Sequence, residues 1–131
     1  MIYPSTTISV QIAREPAAVY AFVAALENFP AWATTFCRSI RKKEEGWVME
    51  TSLGPMSIRL APKNSLGVLD HYVTPTTGET LYVPLRVVAN GSGSEVLFTL
   101  FRLPGVADED YAADAALVRR DLATLKKVLE K

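Results

Sequence analysis

At 131 residues the chain has the length of one ordinary domain, enough to bury a sizeable core. Its 49% hydrophobic and 21% charged residues exclude a disordered chain, and 14 basic against 14 acidic residues exclude a global field towards nucleic acid or an anionic membrane. A single cysteine, Cys37, excludes a disulfide framework and a cysteine-based zinc site.

Thr6 to Ala13 alternates, with Ile8, Val10 and Ile12 on one side and Thr7, Ser9 and Gln11 on the other, which predicts a half-buried strand. Pro16 suits the first turn of a helix whose wide apolar face carries Val19, Tyr20, Phe22, Val23 and Leu26. The longest apolar run, Ala17 to Leu26, is far short of the roughly 20 residues that span a bilayer. The N-terminus lacks a signal-peptide pattern, so a reducing, cytoplasmic address is expected. Asn28 is placed to cap a short second helix running through Trp32 towards Phe36.

A meander follows. Turn signals at Glu45-Gly46, Gly54-Pro55, Lys63-Asn64, Thr77-Gly78 and Asn90-Gly91-Ser92-Gly93 separate the expected strands Arg38–Lys43, Trp47–Leu53, Met56–Ala61, Leu66–Thr74, Thr80–Ala89 and Glu95–Arg102. The basic cluster Arg38, Arg41, Lys42 and Lys43 runs straight into Glu44 and Glu45 and reads as a solvated strand end rather than a phosphate site. Pro104-Gly105 then breaks the chain before Asp108 to Lys131, which reads as one amphipathic helix roughly 30 Å long. Tyr111, Ala115, Val118, Leu122, Leu125 and Leu129 form its stripe, Asp108 is the expected N-cap, and Lys126, Lys127 and Lys131 suit its C-terminal dipole. Strand, two short helices, six strands and a helix favour α+β with an antiparallel sheet.

Tight hairpins would set the registers. A two-residue turn at Thr77-Gly78 pairs Tyr72 with Val83 and Asp70 with Leu85. A tight Asn90–Gly93 loop pairs Val83 with Leu100, Leu85 with Phe98 and Val87 with Val96. Asp70 and Tyr72 would then face the C-terminal stripe, with His71, Tyr82, Arg86, Leu97, Thr99 and Phe101 on the other side. A tight turn at Gly54-Pro55 sets Thr51 against Ile58, Met49 against Leu60, and Glu50 against Arg59 as an outer ion pair.

The first strand followed by Glu15-Pro16-Ala17-Ala18-Val19-Tyr20, then Asn28-Phe29-Pro30-Ala31-Trp32, resembles the opening of the START/Bet v 1-like (SRPBCC) superfamily. The meander ending in one long helix is similar too. Gly67-Val68-Leu69-Asp70-His71-Tyr72-Val73, and Phe98-Thr99-Leu100-Phe101-Arg102 through Pro104-Gly105, resemble its bacterial polyketide cyclase/dehydrase-like members. The resemblance covers the whole chain as a single domain, 1–131. It implies the helix-grip fold: a curved seven-stranded antiparallel sheet wrapping the C-terminal helix, two short helices between strands 1 and 2, and a cavity for an apolar or aromatic small molecule. The superfamily spans lipid and hormone binders, aromatase/cyclases, hydroxylase subunits and chaperone co-factors, so the fold alone does not assign a function.

No catalytic signature stands out. One histidine rules out a His-rich metal site, Gly91-Ser92-Gly93 has no following helix to cradle phosphate, and neither a metal nor a cofactor is expected. The candidate proton-moving groups are Asp70, whose pKa burial would raise, His71 as a general base, and Tyr72 as a donor. Each also has an ordinary structural role open to it. The expected ligand-lining set is Trp32, Phe36, Met49, Asp70, Tyr72, Leu85, Phe98, Tyr111 and Val118. Binding of a small apolar or aromatic metabolite between sheet and helix is the leading expectation. A cofactor-independent cyclase or dehydratase is the second, and an interaction module with its cavity collapsed by Trp47, Met49, Phe98 and Leu100 is the third. Nucleic acid and membrane are not expected partners, and a homodimer stays open.

Overall fold

The computed structural model describes all 131 residues. In chain order the elements are β1 (Ser5–Ile12), α1 (Pro16–Ala24), a 3-10 turn (Leu26–Asn28), α2 (Phe29–Trp32), β2 (Ser39–Lys43), β3 (Gly46–Thr51) and β4 (Gly54–Leu60). There follow β5 (His71–Pro75), β6 (Leu81–Val83), β7 (Leu85–Asn90), β8 (Gly93–Phe101) and α3 (Asp108–Leu129). All ladders are antiparallel, in two sheets ordered β1-β8-β7 and β2-β3-β4-β5-β6.

The wall therefore has eight strands rather than the expected seven, and a proline is the reason. Pro84 has no N–H to give a ladder, so it divides the expected strand Thr80–Ala89 into β6 and β7. Ahead of β5, Gly67 to Leu69 runs alongside β7: Leu69 N–H donates to the Leu85 carbonyl, and Val87 N–H to the Gly67 carbonyl. The two sheets are joined there. Gly67 has to be glycine, because its φ is +75° and a Cβ would lie 2.1 Å from the Val87 carbonyl oxygen.

β1 shows the expected alternation, with Ile8 and Ile12 buried. The β7–β8 register also matches the tight-loop expectation, Leu85 opposite Phe98 and Val87 opposite Val96. At β3–β4 the turn falls on Ser52-Leu53 instead of Gly54-Pro55. Thr51 Oγ1 donates to the Gly54 carbonyl and accepts from Leu53 N–H, which fixes that turn. Met49 thus faces Met56 and Trp47 faces Ile58; Glu50 lies opposite Pro55, and no Glu50–Arg59 pair forms.

α3 lays its stripe into this wall. Ala115, Leu122, Leu125 and Leu129 are buried in one cluster with Ile8, Ile12, Met49, Leu85 and Val96, and Val118 packs against it half-buried. The helix is tied at both ends. Tyr111 hydroxyl meets Thr6 Oγ1 and donates to the Leu100 carbonyl, while Lys126 Nζ donates to the Gln11 carbonyl. Midway, Asp121 accepts from Thr35 N–H and Oγ1 and so fastens the α2–β2 loop to α3. Ala107, not Asp108, stands at the N-cap position, with no side-chain cap bond; Asp108 is the first helical residue, and its carboxylate pairs with Arg102. Asn28 precedes α2 as expected, yet its amide donates to the Phe22 carbonyl instead of capping.

Leu122 is 1% exposed. Leu122→Ala is expected to cost roughly 2–5 kcal/mol by opening a cavity beneath α3, read as a lower denaturation midpoint. An unchanged midpoint would mean that α3 is not docked on this face.

Candidate functional site

The site is decided by which way β5 faces. His71 lies opposite Val83, Tyr72 opposite Tyr82 and Val73 opposite Leu81, one residue out of step with the tight-turn expectation. The loop from Thr74 to Thr80 is wider than two residues and is closed by a Thr74–Thr80 hydroxyl contact. A one-residue slip exchanges the faces of a strand. Leu69, His71 and Val73 are consequently buried inside the grip, and Asp70 and Tyr72 belong to the outer face, the reverse of the expected arrangement.

Asp70 holds that arrangement. Arg86 donates two bonds to its carboxylate, Nε at 2.8 Å and Nη2 at 2.8 Å; Leu85 N–H adds a third and the Tyr82 hydroxyl a fourth. The Arg86 guanidinium holds the carboxyl at about 2 against the opposing effect of burial, with Leu85 N–H and Tyr82 helping. Sequence reasoning expected a raised pKa. Desolvation does act on Asp70, but paired donors outweigh it.

His71 sits in the core instead. Its Nδ1 is bonded to the Leu69 carbonyl, and its ring makes edge contacts with Phe29 and Phe98. Burial pushes its pKa below the usual 6.5. Phe29 passes the chain of rings on to Trp32, whose indole N–H is the one buried side-chain polar atom without a partner. Met49 and Leu85 are fully buried, Phe98, Tyr111 and Val118 half-buried, and Phe36 is 38% exposed. Of the expected lining set, the structure brings Trp32, Met49, Leu85, Phe98 and Val118 together in or against one packed core.

The interior of the grip is thus filled by side chains. A depression of about 660 Å³ lies elsewhere, and none of its lining residues comes from α3. It opens at the rim of the five-stranded sheet, where the end of α1 and the 3-10 turn after it (Ala24 to Glu27) meet the β2–β3 turn and β4. Trp47, Leu60 and Leu26 supply apolar walls; Arg59, Tyr72 and Thr74 line it from the outer face. A smaller furrow of about 370 Å³ adjoins it through Ala24, Ala25 and Leu60 and ends at Tyr20 and Lys63. Tyr20 is fixed there by accepting a bond from Asn64 N–H.

Among the expected proton-moving residues only Tyr72 lines this groove. Its ring stacks on Tyr82 at 5.3 Å, Tyr82 stacks on Phe101 at 6.3 Å, and the Arg59 guanidinium lies 4.8 Å from the Tyr72 centroid. Arg59 lies on the outer face as expected but without Glu50 as a partner, and Trp47 packs against the core as expected while also lining the groove. Ser52-Leu53 followed by Gly54, with glycine at the favoured last position of a turn, was the signal that would have moved the register and released Arg59. No cluster of metal-ligating side chains is present, and no helix is long and apolar enough to cross a membrane.

The Asp70 pairing has a pH signature. Its folded pKa lies below the ordinary 3.8, so the folded state binds fewer protons there. The resulting stability, about 2 kcal/mol, is complete above pH 4 and lost as pH falls towards 2. Asp70→Asn should lower urea stability by about that much at pH 7, with the gap closing on acidification. A gap that persists at low pH would show that the pairing contributes nothing through charge.

No protein-family model and no curated protein matches the sequence. Solved structures do match along nearly its whole length. XoxI from Bacillus cereus aligns at 18% identity over 95% of this chain and 94% of its own, with a TM-score of 0.76. The Zhui aromatase/cyclase from Streptomyces sp. R1128 aligns at 13% identity over 98% and 94%, with a TM-score of 0.73. A START superfamily protein from Mycobacterium smegmatis aligns at 10% identity over 96% and 97%, with a TM-score of 0.72. At such identities the likeness concerns the fold, and the fold is the START/Bet v 1-like helix grip.

Proposed function

We propose that this protein binds a small, mostly apolar or aromatic molecule in the rim groove between the end of α1 and strands β3 to β5. The groove itself is the observation that carries the reading. Its volume of about 660 Å³ lies within the usual range for small-molecule sites, and it offers ring faces beside a few polar groups. The filled interior of the grip supports the rim over the space under α3 as the place of binding.

A cyclase or dehydratase reading has less to draw on. Asp70 is ionised and fully engaged, and His71 is buried with one ring nitrogen bonded to backbone, so neither reaches a guest in the groove. The filled grip favours the interaction-module reading as a second one, with exposed Leu53 and Leu66 as contact residues.

The test is a titration with the neutral fluorophore N-phenyl-1-naphthylamine, followed by amide shifts in the labelled protein. Saturable binding with shifts at Ala24, Trp47 and Leu60, weakened about tenfold in Trp47→Ala, is expected. Shifts confined to Leu85, Phe98 and Val118 would return the ligand to the grip and end the rim reading.

A further inference from the structure

We propose that the rim groove selects an anionic ligand, an aromatic or otherwise apolar carboxylate, and that Arg59 is its anchor. The inference rests on the groove being a binding site and adds the chemical class of the guest. Arg59 lines the groove on β4, and the guanidinium stands over the Tyr72 ring at 4.8 Å. Tyr72 is held in turn by Tyr82, and Tyr82 by its hydroxyl bond of 2.8 Å to Asp70. The cation therefore rests on a ladder that is pinned at the sheet junction.

Arg59 has no carboxylate of its own. The three ion pairs in the chain are Arg86–Asp70, Arg102–Asp108 and Lys126–Glu130. No hydrogen bond or ion pair occupies the Arg59 guanidinium, so its N–H groups are free to take a carboxylate through two parallel bonds. Such an anchor is largely preorganised, so little side-chain freedom is lost on binding. Two acidic residues, Glu27 and Glu45, also line the groove and would suit a cationic guest. Both are exposed on turns, with no salt-bridge partner to set their direction. Ordering either would cost more than engaging Arg59. Trp47 and Leu60 line the same groove and suit a flat hydrocarbon body joined to a carboxylate.

Three probes of one shape test this on the full chain: 2-naphthoate, 2-naphthamide and 2-naphthylmethylammonium, each followed by calorimetry and amide shifts. Naphthoate is expected to bind at least tenfold tighter than naphthamide, with shifts at Trp47 and Leu60, and to weaken with added salt. Arg59→Gln should remove that tenfold advantage, so that acid and amide bind alike. Arg59→Lys, which keeps charge without the fork, should fall between. Equal binding of acid and amide in the groove, or tighter binding of the ammonium, would overturn the carboxylate anchor while leaving the groove as a site. Failure of all three probes to shift groove residues would overturn both. An unchanged thermal midpoint in Arg59→Gln, expected for an exposed side chain, separates lost binding from lost folding.

Discussion

The whole arrangement depends on one carboxylate. Where Pro84 interrupts the ladder, the Asp70 side chain receives Leu85 N–H and the Arg86 fork, and so carries the hydrogen bonding across the break between the two sheets. With Asp70 turned outward to reach Arg86, the strand alternation leaves Leu69, His71 and Val73 no choice but the interior. It likewise commits Tyr72 to the outer face, where Tyr82 and Arg59 stack on it. Core composition and groove chemistry are thus two consequences of the same clamp.

What the clamp puts inside also determines where a guest fits. His71, Phe29, Trp32 and Phe98 form a continuous run of rings beneath α3, and Met49, Leu85 and Leu122 fill the rest. Reopening that volume would expose well-packed apolar surface at roughly 25 cal/mol per Å², a cost that a small ligand would have to offset before binding at all. The rim asks for no such rearrangement. Its walls come from the ends of elements, where α1 stops at Ala24 and β3 begins at Gly46, so side chains there have fewer neighbours to pack against.

Much of the fold was legible in the residues. The heptad-like stripe of α3, the alternation of β1 and the glycine-rich loop before β8 each report a local period or turn, and local periods survive folding. Hairpin registers were legible only where the turn was as tight as assumed. At Thr74–Thr80 and at Ser52-Leu53, side-chain hydroxyls shape the turns, and a hydroxyl bond has no sequence period. One misjudged residue then exchanged His71 for Tyr72. Pro84 was a visible signal for splitting a strand. Asp121 was visible too, on the flank of the α3 stripe between Val118 and Leu125, although its partner Thr35 lies 86 positions away in sequence. The groove was not legible, since its walls come from five separate elements that only the folded chain brings together.

The facing of β5 is most directly measured through its histidine, by following the His71 ring signals in NMR across the acid range. The account predicts an imidazole that stays neutral well below the ordinary 6.5, its Nδ1 carrying the proton donated to the Leu69 carbonyl. A His71 that titrates near 6.5 with the shifts of a solvated ring would place it outside the grip and contradict both the filled core and the groove built upon it.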